Sequence, residues 1–390
     1  MRQTAGVSVA TWTSFLSLAA WLWLAAARGQ YWRTDVRLPA VREVRSPGPW
    51  PSVAVVVPAR DEADVLPGTL PTLLAQRYPG RVEVLVVDDG SADGTGDVAR
   101  ALGRVAPGPH RLAVVTAGAP PRGWTGKLWA LKRGIGEARA HGAPEYLLLT
   151  DADIAHRPDS LRNLVDAART HGLDLLSQMA RLRVTTGWER LLVPAFVYFF
   201  CQLYPFRSVN RPGARAAAAA GGCVLLSARA AERAGVPDRM RGAVIDDVAL
   251  GRAVKGTGGK VWLGLADEVV SVRPYEGLAP LWAMVARSAY AQLRHSPLLL
   301  AVTVPGLLLV YLVPPAAALT GSAAGAAAWA VMTATYLPMV RHYRQPWWVA
   351  LTLPVTAALY LAMTVDSAVR HHAGRGAAWK GRFYAGSESG

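Results

Sequence analysis

In "YLLLTDADIAH", residues 146–156, an apolar run ends in two aspartates one residue apart. The run Tyr146–Thr150 reads as a buried strand of a parallel sheet. Ionised carboxylates at the end of such a strand are costly unless a positive group meets them. If the extended conformation continues, Asp151 and Asp153 point to one side, about 6.5 Å apart along the chain. Hard oxygen donors so placed suit a shared divalent cation or a metal-bound phosphate. An isolated D-x-D also fits a loop that opens with solvated aspartates, so the motif needs support from elsewhere.

That support comes from the other strand ends. "SVAVVVPARDEADVL" predicts a strand over Val53–Val57, broken by Pro58 and followed by Asp61 and Glu62. "RVEVLVVDDGSADGTGDVARAL" predicts a strand over Val82–Val87, then Asp88 and Asp89, a turn, and a helix from about Thr95. "RLAVVTAG" is a third strand, and "GWTGKLWALKRGIGEARAHG" is a helix with Leu128, Leu131 and Ile135 at helical spacing. Strands and helices alternating in this way predict a doubly wound α/β sheet. Ligands of such sheets bind beyond the carboxyl ends of the strands, where all three acidic pairs fall.

Other chemistries fail at named positions. "DDGSADGTGDVAR" has Asp89, Ser91, Asp93 and Gly94 of a calcium loop but Arg100 where the glutamate belongs. "GWTGKLW" lacks the first glycine and the Ser/Thr of a P-loop, and no G-x-G-x-x-G opens the first helix. Neither G-x-S-x-G nor H-E-x-x-H occurs. His156 is the one histidine near the carboxylates, and it reads as a neighbour rather than a ligand.

The elements that must carry this site lie between two apolar regions. Hydrophobic residues make up 52% of the 390-residue chain, and they are concentrated near its ends. The uncharged stretch Gly6 to Ala27 is long enough to cross a bilayer, and it reads as an anchor (residues 1–28) rather than a signal peptide. The basic linker 29–49 follows. Arg28, Arg33, Arg37, Arg42 and Arg45 place that side in the cytoplasm by the positive-inside rule. Residues 50–295 read as a soluble domain of mixed charge, with interfacial helices near 187–206 and 278–295. Three stretches within 296–366 each have spanning length, and a basic tail, 367–390, closes the chain. Three full crossings would leave that tail outside, against its charge. One segment, the Ala-rich or a Pro-broken one, is therefore expected to be re-entrant or interfacial. The net charge of +15 sits at membrane edges and is scattered over the domain, which argues for a lipid bilayer and against nucleic acid. Cys201 and Cys223 have no metal-site spacing and read as core thiols.

"VVVPARDEADVL", "VVDDGSADGT", "TGKLWAL", "LLLTDADIAH" and "IDDVALGRAVKGTGGKVWL" follow the order found in glycosyltransferase family 2, and the domain resembles that family over nearly its whole length. "GWTGK", "AAAAAGGCVLLSA", "WKGRFY" and the flanking membrane pattern resemble its hopene-associated branch. The resemblance implies a GT-A nucleotide-sugar-binding domain: a mixed, mainly parallel sheet with helices on both faces, plus transmembrane helices at both ends. It implies a nucleotide-diphosphate sugar bound by Pro58, Glu62, Asp88, Asp89, Lys127 and Asp151. Asp61 stands where many relatives have Asn. Lys127, near a helix start, suits a diphosphate, although a solvated helix lysine is the simpler alternative.

Asp151 and Asp153 would hold Mg²⁺ or Mn²⁺ against that diphosphate. Asp247 matches the general base, while Asp246 is the one of the two that reads as the helix cap. Gly221 and Gly222 precede a strand where backbone approaches a ligand closely, and with Asp246 they form the acceptor side. "LAPLWAMVARSAYAQLRHSP" resembles the helix carrying Q-x-x-R-W: Arg287 fits its arginine, but Ser288 replaces the tryptophan, which argues against a processive synthase. The implied activity is inverting transfer of one sugar to a membrane lipid acceptor, a hopanoid or other polyisoprenoid. The alternatives are a nucleotidyltransferase acting on a sugar phosphate and a non-catalytic membrane scaffold. The first wants a glycine- and basic-rich loop after the first strand, where "PARDEAD" has one arginine and three acids.

Overall fold

The computed structural model describes residues 2–38, 49–105, 110–374, 378–379 and 382–383. Arg42, Arg45 and half of the basic tail, including Lys380 of "WKGRFY", lie outside the described residues. The chain divides into two compact units. One comprises residues 35–183, 209–274 and 378–390, and the other residues 1–34, 184–208 and 275–377.

The first unit is built on one sheet of eight strands. They are β1 (Val53–Ala59), β2 (Val82–Asp88), β3 (Arg111–Thr116), β4 (Tyr146–Thr150), β5 (Ile154–His156), β6 (Leu175–Arg181), β7 (Cys223–Ser227) and β8 (Val261–Ser271), in the order β3-β2-β1-β4-β7-β6-β8-β5. β3, β2, β1 and β4 run parallel, as do β6 and β8, whereas β7 and β5 are antiparallel to their neighbours. The sheet is therefore mixed and mainly parallel. β1 is buried along its whole length, as expected for a strand covered on both faces. Val53, Val55 and Val57 join a core with Leu66, Leu70, Leu161 and Leu164 from two helices. On the opposite face Val56 meets helix Gly126–Ala140 so closely that a Cβ at Gly134 would stand 2.5 Å from its Cγ1.

β1 does not break at Pro58. It runs to Ala59, with Pro58 opposite Val87 of β2. The ladder to β4 ends earlier, at Val56, so a residue without an N–H is tolerated beyond that point. Two successive antiparallel pairings, β4 with β7 and β7 with β6, bring β6 and β8 back into the direction of β4. The carboxyl ends of β1, β2, β4 and β8 consequently share one edge. The amino end of β7 is at the same edge, because Cys223 pairs with Thr150.

The second unit is helical. Helices Val9–Ala27, Pro297–Leu319, Ala323–His342 and Trp347–His372 are each long and apolar enough to cross a membrane. Helices Gly187–Leu203 and Leu278–Gln292 belong to the same unit. The Pro-broken stretch satisfies its own backbone. Pro314 has no N–H for Val310 O, and Val313 N–H turns back to Leu308 O, which leaves Leu309 O without a helical donor. Trp21 Nε1 donates to Val310 O at 2.6 Å and Ser17 Oγ to Leu309 O at 2.8 Å. Helix Arg2–Ala27 thus completes the broken helix, as an apolar environment requires.

Candidate functional site

The aspartate pair does not continue an extended strand. Asp151 and the two residues after it form a turn between β4 and β5, so the two carboxylates leave the chain in different settings. Asp151 Oδ1 lies 2.9 Å from Lys127 Nζ. Asp153 Oδ2 accepts from Ser271 Oγ at 2.7 Å and from Arg273 Nε at 3.2 Å. Asp151 Oδ2 and Asp153 Oδ1 receive no hydrogen bond among the described residues.

Lys127 begins helix Gly126–Ala140, whose N-cap Thr125 accepts from Leu128 N. Its ammonium is also 3.1 Å from Asp246 Oδ2, so it bridges two chain segments rather than sitting in solvent. Desolvation works against its charge, but Asp151 and Asp246 outweigh it and raise the Lys127 pKa above the ordinary range. The Asp151 carboxyl is raised by burial, an effect Lys127 opposes and Asp153 reinforces.

Asp246 is not a helix cap. Ile245 is the N-cap of helix Asp246–Gly256 and makes no side-chain cap bond, while Asp246 turns to Lys127. Asp247 is the residue that meets backbone, accepting from Val248 N at 2.7 Å and from Gly221 N at 3.1 Å. Burial, with Asp246 beside it, pushes Asp247 up to about 7 despite Lys127 and these two bonds. The helix is seated closely: a Cβ at Gly251 would lie 2.5 Å from the Ala218 carbonyl carbon. Gly221 and Gly222 are at the amino end of β7, where Gly221 gives its N–H to Asp247 and Gly222 O accepts from Thr150 Oγ1.

Pro58, Lys127, Asp151, Gly221, Asp246 and Asp247 line one cavity of about 20 Å³, floored by apolar side chains such as Leu131 and Leu250. That volume takes about one water molecule. Asp88 Oδ1 accepts from Ser91 N and Oγ and holds the turn after β2. Asp89 is fully buried, with Arg60 Nη1 3.8 Å from its carboxylate. Asp61 adopts a left-handed φ of 50°, and its Oδ1 accepts from Ala92 N, ties that an Asn oxygen would also make. Glu62 is buried, its backbone N–H donates to Thr95 Oγ1, and its carboxylate takes Arg273 Nη2 at 2.7 and 2.8 Å. Arg287 is exposed on helix Leu278–Gln292 of the other unit. His156 bonds Thr150 and Ser160, and burial pushes its imidazole down to about 4. It is a neutral core residue.

Arg273 escaped the sequence reading. It follows β8 by two residues at the same sheet edge as the acids, and "VVSVRPY" carried that signal.

Comparisons with known proteins bear on the family and the fold. Residues 51–291 match the family described as "Glycosyltransferase like family 2". The chain belongs to glycosyltransferase family 2. An undecaprenyl-phosphate mannosyltransferase of Micrococcus luteus is 35% identical over 122 residues, 31% of this chain and 46% of that protein. A 4,4'-diaponeurosporenoate glycosyltransferase of Staphylococcus haemolyticus is 33% identical over 103 residues, 26% of this chain and 24% of that protein. The chain thus matches less than half the length of these curated relatives. Among solved structures, the mannosyltransferase PcManGT from Pyrobaculum calidifontis, in complex with GDP-Man and Mn²⁺, superposes with a TM-score of 0.56 at 20% identity. The match covers 91% of this chain and 98% of that one, and the shared fold is GT-A-like.

Proposed function

We propose that this family 2 member is a membrane-bound, inverting glycosyltransferase that moves one sugar from a nucleotide-diphosphate sugar to a membrane lipid. A hopanoid or other polyisoprenoid acceptor, as in the hopene-associated branch, is the reading its motifs support. The observation that carries it is the Lys127 bridge. One ammonium joins Asp151, on the donor side, to Asp246, beside the proposed base Asp247.

The residues fit a divalent ion, Mg²⁺ or Mn²⁺. Asp151 and Asp153 each keep one carboxylate oxygen without a hydrogen bond among the described residues. No cluster of three or more His, Cys, Asp or Glu side chains suited to a metal occurs among those residues, so the remaining ligands would be donor oxygens and water. Such an ion supplies Lewis-acid stabilisation of the departing diphosphate.

The chain's own groups do the rest. Lys127 offers a desolvated cation to the diphosphate from the first turn of its helix. Glu62 and Asp89 contact the nucleotide, and Gly221, Gly222 and Asp246 border the acceptor. Asp247 takes the proton of the acceptor hydroxyl as its oxygen bonds the anomeric carbon and the carbon–oxygen bond to the diphosphate breaks. A carboxyl pushed up to about 7 is well matched to a general base near neutral pH. Arg287 is assigned to the acceptor helix on the family motif, and the exposed apolar residues of helix Val9–Ala27 and Trp347–His372 suit a multi-pass membrane protein with a cytoplasmic catalytic unit.

A donor screen on detergent-purified protein tests this reading. Nucleotide release from one nucleotide sugar should require both a divalent ion and a polyisoprenoid acceptor. Release that ignores the lipid, or none with any lipid offered, would overturn it.

A further inference from the structure

Two carboxylates on different loops share one guanidinium. Glu62 follows β1 and Asp153 follows β4, and Arg273 reaches both from beyond β8. Its Nη2 lies 2.7 and 2.8 Å from the two Glu62 oxygens while its Nε lies 3.2 Å from Asp153 Oδ2. The Glu62 and Asp153 side chains are only 7% and 14% exposed, so the attraction is weakly screened by salt. Ser271 donates to the same Asp153 oxygen, which leaves Oδ1 as the one without a hydrogen bond among the described residues.

We propose that Arg273 is a positioning residue that links nucleotide recognition to metal binding. The inference rests on the reading of Glu62 as a nucleotide contact and Asp153 as a metal ligand. Through Nε and Ser271, Arg273 fixes the Asp153 carboxylate by one oxygen and presents the other. Through Nη2 it fixes Glu62 at a set separation from Asp153. A nucleotide that engages Glu62 therefore meets a metal site already oriented, and a metal on Asp153 steadies the nucleotide site in return. Only a planar fork with several donors can hold both carboxylates at once, since a lysine ammonium is a point charge that satisfies one well.

The quantity to measure is the factor by which saturating Mn²⁺ tightens binding of GDP or UDP to the full-length protein in detergent, taken from nucleotide Kd values with and without the ion. Such a factor belongs to the pair of sites and is reciprocal. Wild-type protein should show it with one of the two nucleotides. Arg273→Lys, which keeps the charge, should cut the factor by about tenfold or more. Ser271→Ala, which loosens only Asp153, should lower it while leaving the metal-free nucleotide Kd as in wild type. A purely architectural arginine would lower thermal stability in Arg273→Lys and leave the factor intact, and that result overturns the proposal. If Arg273→Lys does not fold, an undiminished factor in Ser271→Ala overturns it. Absence of any Mn²⁺ effect in wild type would instead sink the metal-dependent reading, and this proposal with it.

Discussion

Lys127 Nζ stands 2.9 Å from Asp151 Oδ1, and the same atom reaches Asp246 at 3.1 Å. Three carboxylates, those of Asp151, Asp246 and Asp247, act on this ammonium. Lys127→Gln removes the charge that opposes the upward shift of Asp247. Its carboxyl should then titrate higher, which moves the acid limb of kcat/KM to higher pH. Breaking so enclosed a pair should also cost about 1–3 kcal/mol, less than for a fully buried pair because the Lys127 side chain is 22% exposed. A pH–rate profile and thermal unfolding check both. An unshifted acid limb would deny Lys127 this influence.

Asp247→Asn separates catalysis from stability. As a base Asp247 must be ionised, so wild-type kcat/KM should rise with pH through about 7. The variant should lose about 10²–10⁴-fold in turnover while nucleotide still binds. The stability sign is opposite. The folded-state pKa of about 7 exceeds the ordinary 3.8, so the protonated carboxyl's contribution is complete below 3.8 and is lost as pH rises through 7. Above that the ionised group is a net cost of about 1–3 kcal/mol, discounted for its partial exposure. Asp247→Asn should gain that much at pH 8, distinctly less at pH 5 and nothing below pH 3.8. Near-normal turnover, or an equal gain at both pH values, would remove Asp247 from the base position.

Replacing Asp151 and Asp153 together by alanine should abolish the Mn²⁺ enhancement of nucleotide binding. Lys127 and Arg273 then lose partners but still face Asp246 and Glu62, so the fold should survive. Calorimetric titration with nucleotide, with and without Mn²⁺, decides it. An unchanged enhancement would exclude the metal role.

The first four strands were legible because they are mostly apolar runs, three of them closed by acids, as in Val82–Asp88 and Tyr146–Thr150. β5 was not, since Ile154–His156 is too short for any periodicity to register. β6 was hidden by Ser177 and Gln178, which interrupt its apolar run although both are buried. Ser177 is affordable there because its hydroxyl donates to Ala220 O and accepts from Ala220 N. At the site, local sequence favoured a capping role for Asp246, since an aspartate opening a helix usually caps it. A tertiary partner 119 positions away, Lys127, took that carboxylate instead. Arg273 was not legible because it stands as a single arginine two residues past β8, and only the folded cluster of acids shows the need for a cation there.

Glu189 gives the helical unit a pH limit. It is fully buried and completes a capping box with Thr186. Its carboxylate accepts from Thr185 N, Thr185 Oγ1, Thr186 N and Tyr275 N at 2.7–2.9 Å. Burial would raise its pKa, but these bonds prevail and hold it down at about 2, against an ordinary 4.5. The stability this supplies is present above 4.5 and is lost as pH falls through 2, about 3 kcal/mol in all. Glu189→Ala should forfeit a similar amount at pH 7, seen as a lower Tm, and should flatten the acid limb of stability below pH 4.5. An acid limb as steep as that of wild type would show that other carboxylates govern it.

Within the helical unit, the end of helix Leu353–His372 packs on helix Leu278–Gln292, which immediately precedes the first C-terminal apolar helix. Trp282 Nε1 donates to Asp366 Oδ2 at 2.6 Å, Tyr290 OH lies 3.0 Å from His372 Nε2, and the rings of His295 and His371 stack 4.2 Å apart. Residue 372 is therefore back beside residue 295, where helix Pro297–Leu319 departs. A chain that leaves from one place and returns to it has crossed a bilayer an even number of times, although three helices of spanning length intervene. One of the three should thus lie along the interface or turn back. The final helix is the best candidate, because it ends in Arg370, His371 and His372 and rests on Leu278–Gln292. Cysteines placed at Arg294, Thr320 and Ala373 test this by labelling with an impermeant maleimide in sealed vesicles of each orientation. The native Cys201 and Cys223 are buried and should stay silent. Arg294 and Ala373 should label from the same side and Thr320 from the other. Labelling of Ala373 from the Thr320 side would mean that all three helices cross.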